Sequence, residues 1–266
     1  MSNRRTEETL PNAKAAKPAV SREEWAMRVD LAAAFRLVHH FGWSDLLATH
    51  LSARVPGPHD LFLINPFGLL FQEITASNLV KVGMDGSIRS ETEYEINPAG
   101  FVIHSAVHMA RPEVACVIHT HTPAGTGVAS QLKGLLPITQ HALAVIAETG
   151  YHDYQGIATD LEERESIARD LAANKVLILR NHGLLTVGRT VGEAFMWMYR
   201  AERACRMQLA FQQAGAELNP IPEEVQRITI ERNRFNNSES GYRPIGKREW
   251  PALLRMLDRL DDGYKS

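Results

Sequence analysis

Three observations predict an α/β fold with a mixed, largely antiparallel sheet. Two short runs, 114–118 and 176–179, are apolar at every position, as strands buried on both faces are. Stretches with helical apolar spacing stand between and around them. The strands are unevenly spaced, and two of them, 49–55 and 61–64, lie close enough to pair as a hairpin.

Composition limits the possible roles. The 266 residues are 44% hydrophobic and 23% charged with a net charge of −2, ordinary for one large globular domain. That balance gives no reason to expect a nucleic acid or an anionic membrane as partner. The apolar runs are far too short to span a bilayer, and residues 1–20 lack the apolar stretch of a signal peptide. The two cysteines, Cys116 in a predicted strand and Cys205 on a predicted helix, read as small buried hydrophobes in a reducing cytoplasm. A cytoplasmic location is expected.

In chain order, residues 1–20 read as a disordered tail. Ser21-Arg-Glu-Glu24 is a capping box opening a helix that stops near Gly42. The hairpin follows, ended by Pro56-Gly57-Pro58. Residues 75–78 could open a short helix, and 80–82 a strand before the Asp85-Gly86 turn. Pro98 begins a helix carrying His104 and His108 on one face, better explained by packing or hydrogen bonding than by metal. After strand 114–118, Thr122-Pro123 caps a helix to 131, with another over 140–147. Thr159-Asp160 can cap a helix to 173, and strands 176–180 and 184–187 follow. Thr190 caps a long helix over 191–214 whose Phe195, Met198, Cys205 and Leu209 face the core, and Gly215 ends it. Residues 216–266 form a helical extension, packing on the domain over 21–215 or on a neighbouring subunit. Tyr151-His-Asp-Tyr154 fits loop packing as well as chemistry.

Two histidines, His119 and His121, stand at the end of the first apolar strand, where alternation points both at one spot. His-X-His alone fits a hydrogen-bonded pair equally well. The matching strand leads into Arg180-Asn181-His182-Gly183, and this third histidine in the same setting favours an open-coordinated zinc ion, one per chain.

Several motifs then carry a resemblance: Asn97-Pro-Ala-Gly-Phe-Val-Ile-His104, Arg111-Pro112, His119-Thr-His121-Thr-Pro-Ala-Gly125, Leu135-Leu-Pro-Ile-Thr139, Tyr151-His-Asp-Tyr-Gln-Gly156 and Leu179-Arg-Asn-His-Gly183. From about Trp25 to about Leu209 the chain resembles the class II aldolase/adducin family, its adducin-like branch most. The resemblance implies an αβα sandwich, a homotetramer with sites near subunit interfaces, and a small-molecule substrate.

It also exposes departures. Gly100 stands where sugar-phosphate aldolases place an acidic acid/base residue. Pro98-Ala99 and Phe67-Gly68 replace hydroxyl residues that hold phosphate, and Thr49-His50 replaces a Gly-Asn. A sugar phosphate is therefore disfavoured. Another group must move the proton: first His141, where relatives place a subunit-bridging residue, then His50, with Glu148 and Tyr242 weaker. The expected function is a zinc-dependent carbon–carbon lyase on a non-phosphorylated carbonyl or carboxylate compound. The alternative is a non-catalytic adducin-like binding protein that retains the metal site.

Overall fold

The computed structural model describes residues 20–57, 60–156 and 163–266. The expected tail falls, but for Val20, outside the described residues, as does the Thr159-Asp160 cap.

Seven strands form one sheet: β1 (His50–Arg54), β2 (Leu61–Ile64), β3 (Val80–Gly83), β4 (Cys116–Thr120), β5 (Thr149–His152), β6 (Val176–Leu179) and β7 (Gly183–Gly188). Their order is β3-β2-β1-β4-β7-β6-β5. Neighbours are antiparallel except β5 and β6. Helix α5 (Glu163–Leu171) connects those two, and a helical crossover delivers the returning strand parallel.

Strand alternation sorts the two faces. Leu51, Ala53, Cys116, Ile118, Val176, Ile178 and Leu184 share a core with α1 (Arg22–His40), α3 (Pro123–Ala129), α6 (Val191–Ala214) and α8 (Glu249–Leu260). On the other face Val117, Leu177, Leu179, Leu185 and Val187 pack with α2 (Pro98–Ala110) and α5. The result is three layers, helix on sheet on helix. The polar part of the second face comes from β1, which brings buried His50, Ser52 and Arg54 there, and from buried His119 of β4 opposite His50.

Ser21 Oγ accepts the Glu24 N–H at 3.1 Å, but the reciprocal half of the capping box is absent. The Glu24 carboxylate is buried, taking Arg28 Nε at 2.9 Å and Lys81 Nζ at 2.6 Å. A buried carboxylate is better served by two cations than by one more cap bond. Thr190 caps α6 by accepting from Glu193 N at 3.0 Å, and Gly215 ends it at φ +61°, a conformation open to glycine.

Three expectations need correction. Residues 75–78 form a turn, closed by Thr75 N–H to Asn78 Oδ1 at 2.9 Å, after a 3-10 turn at Phe71–Glu73. The side-chain acceptor offers the backbone an alternative to a helix. Strand β4 runs two residues later than expected and takes in His119. Strand β5 was not anticipated, since Thr149-Gly-Tyr-His152 has no apolar alternation; it is an edge strand recruited by β6.

The extension divides in two. Helix α8 belongs to the core, with Trp250 and Leu257 buried and Trp250 Nε1 donating to Asp30 at 3.1 Å. Helix α7 (Glu223–Asn237) has no buried residue and lies against α4 (Gln140–Ile146). Cys116 and Cys205 are free and buried, and burial pushes the Cys205 thiol up to about 12. Among the described residues no helix is long and apolar enough to cross a membrane.

Candidate metal centre

His119 lies near the end of β4, opposite His50 of β1 and Leu185 of β7. His121 follows just past the strand, where Thr122 caps α3 by accepting the Gly125 N–H at 3.1 Å. Thr122 Oγ1 in turn donates to the buried carboxylate of Glu202. His182 sits in the tight β6–β7 turn, closed by His182 N–H to Leu179 O at 3.1 Å. Asn181 takes φ +58° there, a left-handed geometry that asparagine tolerates. Thr126 Oγ1 of α3 holds the His182 carbonyl at 3.1 Å.

These elements bring the three predicted ligands together. One ring nitrogen from each of His119, His121 and His182 lies within 4.8 Å of the others. The fit to a cation rests on the outer nitrogens. His119 Nδ1 donates to Leu184 O at 2.9 Å, and His121 Nδ1 meets Asp45 Oδ2 at 3.3 Å. Both partners only accept, so both Nδ1 atoms carry the proton. Two lone pairs then face each other at Nε2, 2.8 Å apart. Such a pair repels unless a cation lies between, which is the chemistry of a zinc-type site. Asp45, in the loop after α1, carries no sequence signal beyond being acidic.

Burial, and then the neighbouring imidazoles, push His119 well below the usual histidine range and His182 down to about 4. Both are neutral at pH 7, as ligands must be.

A second histidine group adjoins the first. The His50 and His119 rings lie 5.0 Å apart. From His50 the contacts run inward: His50 Nδ1 to His104 Nε2 at 2.7 Å, His104 Nδ1 to Ser52 Oγ at 2.5 Å, and Ser52 Oγ to His108 Nε2 at 2.8 Å. Burial above all keeps the three imidazoles neutral, helped by neighbouring imidazoles at His50 and His104 and by the Arg54 guanidinium at His108, which is pushed down to about 3. Three imidazole protons and one hydroxyl proton must serve three hydrogen bonds and two ends. One end therefore carries a proton and the other does not. The far end, His108 Nδ1, is buried without a partner. With His108 Nδ1 as the bare end, the spare proton lies on His50 Nε2; the Val114 backbone beside the His108 ring is the competing place for it. His50 is thereby held as a neutral N–H donor beside the triad. Sequence reasoning placed His104 and His108 on a common face but could not find Ser52, their link.

Gly100 is part of this arrangement. A β-carbon there would lie 2.9 Å from His50 Cδ2, so the imidazole occupies the space a longer side chain at position 100 would need. His141 lies elsewhere in the chain, on α4, in a pocket with Arg200 and Arg203. Glu148 is paired with Arg234 at 2.8 Å, and Tyr242 is exposed beneath Arg248. In the 151–154 cluster, Tyr151 OH accepts the Leu135 N–H at 3.1 Å. His152 sits between Asp170 at 2.8 Å and Glu163 at 3.3 Å.

The chain matches the model of the class II aldolase and adducin N-terminal domain over residues 29–209. A solved aldolase II superfamily protein from Pseudomonas syringae is 50% identical, with a TM-score of 0.86 over 93% of this chain and 98% of that one. L-fuculose 1-phosphate aldolase from Glaciozyma antarctica is 31% identical, with a TM-score of 0.78 over 94% and 97%. Alpha-adducin of Rattus norvegicus is 43% identical over 258 residues, 93% of this chain but only 35% of adducin.

Proposed function

The chain belongs to the class II aldolase and adducin family, and from that premise we propose a zinc-dependent carbon–carbon lyase acting on a small, non-phosphorylated carbonyl or carboxylate compound. The observation that carries this reading is the convergence of three imidazoles, two of them with their lone pairs turned inward. His119, His121 and His182 would hold one ion per chain; bound there, it would supply Lewis acidity towards a substrate carbonyl.

The chain's own contribution is His50. Its Nε2–H, fixed by the hydrogen bonds through His104, Ser52 and His108, would donate to an oxygen on which negative charge grows as the carbon–carbon bond breaks. A neutral donor suits a buried site, since no imidazolium has to form. The carbon left behind takes its proton from water or from His141 of a neighbouring subunit in the homotetramer that the family resemblance implies. Decarboxylation suits this set best: it removes carbon dioxide without a base at carbon, and Gly100 offers none.

The experiment is a substrate panel of sugar phosphates, oxo-acids and aromatic hydroxy-carboxylates, with zinc and with chelator. Metal analysis of wild type and His121→Ala runs beside it. Expected are one ion per wild-type chain, a loss in the variant, and zinc-dependent turnover of a carboxylate. Equal metal content in both proteins would sink the site. Likeness to alpha-adducin, with Gly100 at position 100, favours a second reading as a non-catalytic binding protein. Silence across the panel with zinc bound would select it.

A further inference from the structure

Away from the histidines, a cavity of about 240 Å³ opens between α4, α6 and the segment around Asn233 and Arg243. We propose that this pocket binds a small anionic group, a carboxylate or phosphate, either free or carried on a small molecule. This inference does not depend on the lyase reading.

Three guanidinium groups line the pocket: Arg200, Arg203 and Arg243. Arg200 and Arg203 are three apart on α6, so they share a face. One carboxylate, Glu249, is at hand; its Oε1 is taken by Arg243 Nη2 at 2.6 Å, while its Oε2 is buried without a hydrogen-bond partner. Arg203 reaches only the Tyr199 hydroxyl, at 3.4 Å. Arg200 lies over the Trp197 ring at 5.7 Å and makes no hydrogen bond or ion pair among the described residues. By contrast, Arg28, Arg36 and Arg111 each engage a carboxylate and a backbone carbonyl. Burial lowers the Arg200 pKa, with Glu249 acting against it and Arg243 adding a smaller push in the same direction as burial.

Gathering like charges in a half-buried pocket is unfavourable without an anion. Guanidinium forks match carboxylate and phosphate oxygens two at a time. Gln140, His141 and Asn233 complete the polar lining. The cavity has room for a group several times the size of one water, whose share of liquid volume is about 30 Å³.

The test is calorimetric titration of the full chain with inorganic phosphate, malonate and phenyl phosphate. Chelator is present throughout, so that no anion reports on a metal at the triad. Saturable binding is expected, weakened about tenfold or more in Arg200→Gln and in the more exposed Arg203→Gln, since each removes a charge-assisted bond. Arg227→Gln, which breaks exposed pairs within α7, and His121→Ala should bind as wild type does. Tighter binding of phenyl phosphate than of phosphate would assign the anion to a larger molecule; equal binding would assign a free ion. Binding unchanged in both arginine variants, or no saturable heat at millimolar probe, overturns the proposal.

Discussion

Two groups of imidazoles lie side by side on one face of the sheet, and they differ in how their rings meet. In His119, His121 and His182 the rings converge: outer nitrogens are tied to oxygen acceptors or left free, and the inner ones share a point. In His50, His104 and His108 the rings stand end to end, with Ser52 between the last two. Residue type is the same in both, but the second group is buried throughout while His121 and His182 are only partly buried. Ring orientation, set by which strand or helix each ring leaves, and access to solvent together separate the converging set from the hydrogen-bonded chain.

The comparison can be broken most severely at Ser52. Ser52→Ala removes the shared hydroxyl and leaves His104 Nδ1 and His108 Nε2 buried without partners. An orphaned buried polar group costs about 1–3 kcal/mol, so a loss of about 2–4 kcal/mol is expected in urea unfolding. Metal content should stay at one ion per chain. Loss of the ion in this variant would mean that the two groups are one site.

Asp45→Asn sharpens the other side. Asp45 is largely exposed and holds His121 from outside the triad, and changes at such positions typically weaken metal affinity about 10–100-fold. Zinc competition against a chelating dye measures this, and the unfolding midpoint of the metal-free protein should hardly move. Unchanged affinity would show that Asp45 does not orient His121.

The smallest single contribution is that of His108 to the pH dependence. His108 is pushed from 6.5 to about 3 in the folded chain by burial and Arg54. Below pH 6.5 the unfolded chain therefore binds a proton that the folded one does not. Stability is fully present above about pH 6.5 and falls as pH drops towards 3. His50 and His104 are displaced in the same direction. Between pH 7.5 and 5.5, His108 alone should cost about 1 kcal/mol. Urea midpoints that do not change over that range would place a proton on the chain in its folded form.

Much of this was legible from the sequence. The convergence of the three histidines was, because alternation and a strand-end turn put side chains at predictable places: His119 and His121 by spacing, His182 by Gly183 behind it. The caps at Ser21, Thr122 and Thr190 were legible for the same local reasons, and the αβα layering through the family resemblance. Ser52 and Asp45 were not. Each acts through a partner 50 or more positions away, and a serine in a strand or an acid in a loop carries no local mark of that. Strand β5 was missed because its pairing with β6, not its composition, makes it a strand. His50 was placed second to His141 because only the packing against Gly100 reveals that the imidazole fills that space.

The closure of α1 against α8 carries a last consequence, for synthesis rather than chemistry. Asp30 holds Trp250, Arg36 holds Asp261 at 2.7 Å, and the backbone of Ala76 donates to Tyr264 O at 2.9 Å. Helix α1 thus rests on a helix whose contact residue lies 220 positions later in the chain. Contacts of such long sequence separation form late, after the loop between them has been closed. A nascent chain paused before Trp250 would leave uncovered the part of α1 that meets α8 and the C-terminal turn, while β1 and α6 cover the rest. Protection of α1 in such a stalled chain, read by limited proteolysis, would show that it docks without its C-terminal partner.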